Sequence, residues 1–188
     1  RDLQDQLDER FWDEVAGGWF STTGDDPSVL LRMKEDADGA EPAASAVAVA
    51  NLLRLVHLAP DAGAMTRVER TLARGGLAIG QAARAVPFML ANLATYHAGL
   101  RQVVIVGPPD DPATQALHDV VAHRYLPFTV VVPVSGGHAQ ARLAHLLPFL
   151  ETLTMRDRQP TAYVCEGFSC QAPTTDAETL ARQLGGPA

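Results

Sequence analysis

The chain has 188 residues, a net charge of −7 and 47% apolar residues, enough length to bury roughly 70% of its extended surface around a real core. Its 15 basic residues are scattered, which argues against nucleic acid as a partner, because phosphate neutralisation needs cations on one face. No apolar run approaches the roughly 18 residues that span a bilayer, and no secretion signal is seen, so neither a membrane partner nor export is expected and the location reads as cytoplasmic.

The first stretch, RDLQDQLDERFWDEV, reads as a helix with Leu3, Leu7 and Phe11 on one face. It begins without an initiator Met or an N-cap, which reads as a segment of a longer protein. Gly17-Gly18, Trp19-Phe20, a Gly-Asp-Asp-Pro turn and the apolar run Val29–Leu31 predict a short β-hairpin. From Pro42 to about Leu58 runs a helix apolar on all sides, which belongs inside against more than one neighbour. AMTRVERTLARGGL is amphipathic and is expected to stop at Gly75-Gly76, and AVPFMLANLATYHA is again largely apolar. Outer amphipathic and inner apolar helices in alternation have the rhythm of helical hairpins set in a ring.

Beyond residue 100 the texture changes. RQVVIVG, PATQALHDVVAHRYL and FTVVVPV predict strand, helix and strand, with parallel strands and a right-handed crossover. AQARLAHLLPFLETL predicts a helix broken near Pro148, and TAYVCEGF a strand. TTDAETLARQLGG predicts a closing helix, with Thr175 and Glu178 as a capping box. The organisation expected is a helical-hairpin segment at 1–100, a βαβ insert at 101–135, and C-terminal helices with a Cys-containing cap at 136–188.

The strand-to-helix turn VGPPDDPAT offers one glycine, three prolines and two acids where a phosphate would need unobstructed amides, so no nucleotide cofactor is expected. Cys165 and Cys170 are a C-x4-C pair without further ligands nearby, so no metal site is expected. Reduced, partly buried thiols close to each other are the expectation. His57, His97 and His145 on apolar helix faces read as packed residues.

Lys34 is the only lysine, and it sits among Glu35, Asp36, Asp38 and Glu41. Gly39 and Pro42 force a turn into the buried helix, so some of these carboxylates should face inward. One reading is structural: Asp38 and Glu41 stabilise the helix start through its dipole and free N–H groups. The other is a pocket, with Asp38 and Glu41 as acid and base, and Trp12, Asp13, Arg32 and Lys34 binding a polyol. Either way Lys34 is expected to pair with Asp38 or Glu41, because a compact ammonium fits where a guanidinium fork would not.

FWDEVAGGWF, RMKEDADGAEP followed by NLLRL, VVIVG followed by DDP, and AYVCEGFSCQAPTTD occur in this order over nearly the whole chain. Together they resemble the carboxy-terminal part of thioredoxin-domain proteins related to spermatogenesis-associated protein. The resemblance implies a longer protein in which a thioredoxin-like domain precedes an (α/α) six-hairpin toroid similar to sugar epimerases and six-hairpin glycosidases. The fold expected is therefore mainly α, the C-terminal portion of that toroid, with a short β-hairpin and a small βαβ insert. Its implied partners are a carbohydrate, the preceding part of the same protein, or a second copy. In the family AEP leads into a polar Ser-Gly-Asn-Ser-like run, whereas here Ala43, Ala44, Ser45 and Ala46 follow. The lost polar groups favour a non-catalytic scaffold, while the intact acidic cluster with its lysine favours carbohydrate handling, and whether the chain is an enzyme stays open.

Overall fold

The computed structural model describes residues 2–167 and 169–185. It divides into two compact units, Arg1–Ala98 and Gly99–Ala188.

The first unit is helical: α1 (Asp2–Phe11), α2 (Ala44–Leu58), α3 (Ala62–Ala82), a 3-10 turn (Ala83–Ala85) and α4 (Pro87–Ala98). α2 packs on both α3 and α4 with Ala46, Val49, Leu52 and Leu53 buried, but Ala44, Val47, Asn51 and Arg54 stay exposed, so it is not enclosed on all sides as expected. Asp61 caps α3 by accepting from the N–H of Ala64 at 3.0 Å. The helix passes through Gly75-Gly76 instead of stopping there. A glycine inside a helix costs only about 1 kcal/mol relative to Ala, and a side chain at Gly75 would already touch Met89 Cγ of α4 at 3.4 Å. The face of α1 also differs from expectation. Leu3 is 83% exposed while Gln4 is buried, because Asp8 of the same face accepts from both the Gln4 amide and the Trp19 indole.

No hairpin forms over residues 17–31. The chain reverses at Gly17 and Gly18, both with positive φ (73° and 78°), a conformation glycine adopts without a Cβ penalty. The reversal pairs Trp12 with Trp19 as a single bridge. The stretch that follows runs as a loop with Leu30 and Leu31 exposed. Trp19 supplies the reason: fully buried, it anchors the chain back onto α1 instead of onto a second strand.

The second unit is built on a mixed four-stranded sheet in the order β2-β1-β3-β4: β1 (Arg101–Val106), β2 (Thr129–Val134), β3 (Thr161–Glu166) and β4 (Ser169–Cys170). β1 and β2 are parallel, joined through α5 (Pro112–Ala122), as their sequence implied. β3 pairs antiparallel with β1, and β4 with β3. Pro133 lies on β2, an edge strand, where a missing N–H is tolerated. α6 (Gly137–Ala144) packs on a 3-10 turn (Pro148–Thr152), so Pro148 does interrupt the helical stretch. α7 (Ala177–Gln183) closes the unit, capped by Asp176 rather than by Thr175, its carboxylate accepting from Thr179 N at 2.7 Å. Val103, Ile105, Leu117, Ala162, Val164 and Leu180 make the core between α5, α7 and one face of the sheet.

Seven α-helices and a four-stranded mixed sheet, counted among the described residues, make the chain an α/β mixture. This corrects the mainly α, six-hairpin toroid expectation, together with its β-hairpin. Two physical facts overturn it: among the helices α2 packs chiefly on α3 and α4, and the β-forming stretches build one sheet, which β3 joins from a segment expected to be a separate cap.

Candidate functional site

The Gly17-Gly18 reversal creates the site around Lys34. Asp13, just after α1, accepts from the N–H groups of Val15 (2.7 Å) and Ala16 (3.0 Å) through one carboxylate oxygen. The other oxygen takes Lys34 Nζ at 2.6 Å, and the same ammonium donates to the Gly17 carbonyl at 2.6 Å. Both side chains are largely buried, at 6% exposure for Lys34 and 14% for Asp13. The Lys34 hydrogen bond, followed by the backbone N–H of Ala16, lowers the Asp13 pKa from 3.8 to about 2. Gly18 is required by its positive φ and by Ser45, whose Oγ would lie 3.3 Å from a Cβ there, while the lysine stem, at 3.7 Å, would stay in ordinary contact.

Aromatic rings frame this pair. Lys34 Nζ lies 4.8 Å from the Phe20 ring centroid, and the Arg32 guanidinium lies 4.0 Å from the same centroid. Arg32 also donates to the carbonyls of Thr22 (3.1 and 2.9 Å) and Arg10 (3.1 Å). Trp12 meets Trp19 edge to face at 4.8 Å.

The acidic turn is distributed differently from the sequence expectation. Asp36 pairs with Arg74 of α3, and that hydrogen bond raises the guanidinium pKa. Asp38 pairs with no lysine. Its two oxygens accept from Ala43 N at the start of α2 and Phe88 N at the start of α4, both at 2.7 Å. One carboxylate thus serves two helix N-termini, where free N–H groups and helix dipoles favour negative charge. Glu41 is exposed on an open cleft of about 400 Å³ that Pro87 and Phe88 also line.

The structure therefore joins Asp13 to Lys34 and sets Arg32 beside them through Phe20. It places Asp38 and Glu41 apart from that pair, at the helix starts, and it corrects the expected Lys34 partner from Asp38 or Glu41 to Asp13. A carboxylate inside a tight turn, already preorganised by two N–H groups, holds a buried ammonium better than one engaged by helix caps. Sequence reasoning missed Ser45, whose hydroxyl accepts from Trp19 N at 3.0 Å, and Asn92, whose amide donates to the Ala46 carbonyl at 2.7 Å. Both are polar residues inside apolar helical runs, and that is the signal that could have found them.

Cys165 and Cys170 are opposite each other across β3 and β4, as their proximity in sequence suggested, but they form a disulfide instead of two thiols. The antiparallel register puts both on one rung of the ladder, 3.9 Å apart at Cα. Among the described residues no group of three or more His, Cys, Asp or Glu side chains is placed to hold a metal ion, and no helix is long and apolar enough to cross a membrane.

No family model matches the chain. It is 36% identical over 183 residues to human spermatogenesis-associated protein 20, covering 97% of this chain and 23% of that protein. The rat protein of the same name is 34% identical over the same coverage. An uncharacterised protein of Caenorhabditis elegans is 27% identical over 95% of the chain and 24% of its own length. The chain thus spans about a quarter of the relatives it matches, and over nearly its full length it is homologous to spermatogenesis-associated protein 20.

Proposed function

We propose that this chain is a non-catalytic scaffold within a longer cytoplasmic protein, holding other parts of that protein or a second copy in position. One observation carries the reading: the inward carboxylates that could act as acid or base are already committed. Asp13 is held by Lys34, Asp36 by Arg74, and Asp38 by two backbone N–H groups. Lys34 holds the pKa of the Asp13 carboxyl well below the operating pH, which makes it a poor proton carrier, and the oxygens of Asp36 and Asp38 are taken up by partners of the fold itself. The exposed Leu30, Leu31 and Met33 on the loop before Lys34 supply apolar surface for a partner.

A second reading keeps carbohydrate binding. Its support is the open cleft between Gly39–Pro42 and Pro87-Phe88, where Glu41 is exposed beside an aromatic ring and free to accept from hydroxyls. A glycan-binding screen on the full-length protein, run beside melting curves, tests both. The scaffold reading expects no glycan retained by the wild type and a lower melting temperature for Asp38→Asn. Glycan binding that Glu41→Gln abolishes at unchanged melting temperature would overturn it in favour of the second.

A further inference from the structure

The two ends of the Cys165–Cys170 bridge differ in their surroundings. Cys165 is buried, 3% exposed, on the inner strand β3, where it also pairs with Gln102 of β1. Cys170 is exposed on β4, a two-residue strand at the edge of the sheet, and Ser169, Gln171 and Ala172 around it are exposed too. An incoming nucleophile therefore reaches one sulfur and not the other.

As a structural staple the bridge is nearly redundant. It joins residues only five apart in sequence, and the entropy a cross-link removes from the unfolded chain grows with loop length. The strand that follows is held without it. Gln171 N donates to Val164 O at 2.9 Å, Ala162 and Thr174 exchange two backbone hydrogen bonds, and Leu180 and Leu184 are buried in the core of the unit.

We propose that Cys165–Cys170 is a thiol–disulfide exchange site for a dithiol, attacked at Cys170 Sγ. The thiolate of the dithiol forms a bond to Cys170 Sγ as the Cys170–Cys165 bond breaks, and the electron pair leaves on Cys165 Sγ, which takes up a proton. The second thiol of the dithiol then attacks its own sulfur in the mixed disulfide and releases Cys170 as a thiolate. The protein gains two electrons and the dithiol is oxidised to a disulfide. The product holds one buried thiol, Cys165, inert by its burial, and one exposed thiol, Cys170, open to modification or to the reverse reaction. The end of the β3–β4 hairpin is released while the sheet stays paired.

The test is a dithiothreitol titration of the chain, purified without reductant, with iodoacetamide trapping and mass mapping of each cysteine beside a melting curve. Cys170 should be trapped at reductant levels that leave the melting temperature within a few degrees, and Cys165 should react at least about tenfold more slowly. Cys165→Ser should leave Cys170 alkylated as fast as a cysteine in an unfolded peptide. A bridge that opens only when the chain melts, equal trapping of both sulfurs, a shielded Cys170 in Cys165→Ser, or thiols that an oxidised dithiol fails to join would each overturn the proposal.

Discussion

Lys34 is bound to Asp13, 21 residues earlier, at 2.6 Å, although four carboxylates lie within a few positions of it in sequence. The pair ties the loop before α2 to the reversal after α1. Lys34→Met should lower stability by about 2–3 kcal/mol, below the full cost of a deeply buried pair because Asp13 keeps some contact with water. Lys34→Arg should recover little of this, since its fork does not fit the space that the single Nζ shares with the Gly17 carbonyl. Urea unfolding of the three proteins measures it.

The same pair sets a pH response. The folded-state pKa of Asp13, about 2, lies below the ordinary 3.8, so its contribution is complete above about pH 4 and is lost as pH falls through 2. Asp13→Asn should lower stability at pH 6 and narrow its difference from wild type towards pH 2. Melting temperatures across that range check the slope, and a gap that widened on acidification would contradict it.

Asp38 is expected to matter more than its exposure suggests. Asp38→Ala removes acceptors from Ala43 N and Phe88 N together, so a loss of about 2 kcal/mol is expected, twice a typical single cap. Asp38→Asn keeps one good acceptor and should lose about half of that. Hydrogen exchange should quicken at the starts of both α2 and α4, and an effect confined to one helix would contradict the shared cap.

Ser45→Ala should cost about 1–2 kcal/mol, because it leaves the buried N–H of Trp19 without its acceptor. The near-ultraviolet signal of Trp19 should broaden with the loss, whereas Ala44→Ser, at an exposed position, should change neither. Chemical denaturation with near-ultraviolet dichroism reads both effects.

The apolar runs of α2 and α4, the three longer strands and the parallel β1–α5–β2 unit were legible in the sequence, because period and composition report local backbone state. So was the relationship to spermatogenesis-associated protein 20, to which the chain is 36% identical over 183 residues. Composition also marked residues 34–41 as special, without saying what holds them. Partner identity was decided by the tertiary structure alone. Lys34 reaches back 21 residues, Ser45 reaches Trp19 over 26, Asn92 reaches Ala46 over 46, and Asp38 reaches Phe88 over 50. No local pattern encodes such distances, and four carboxylates of similar chemistry stood nearer to Lys34 in sequence. The same limit hid the α/β character: each strand was visible singly, but the register that joins β3 to β1, and brings Cys170 opposite Cys165, exists only once the sheet has formed.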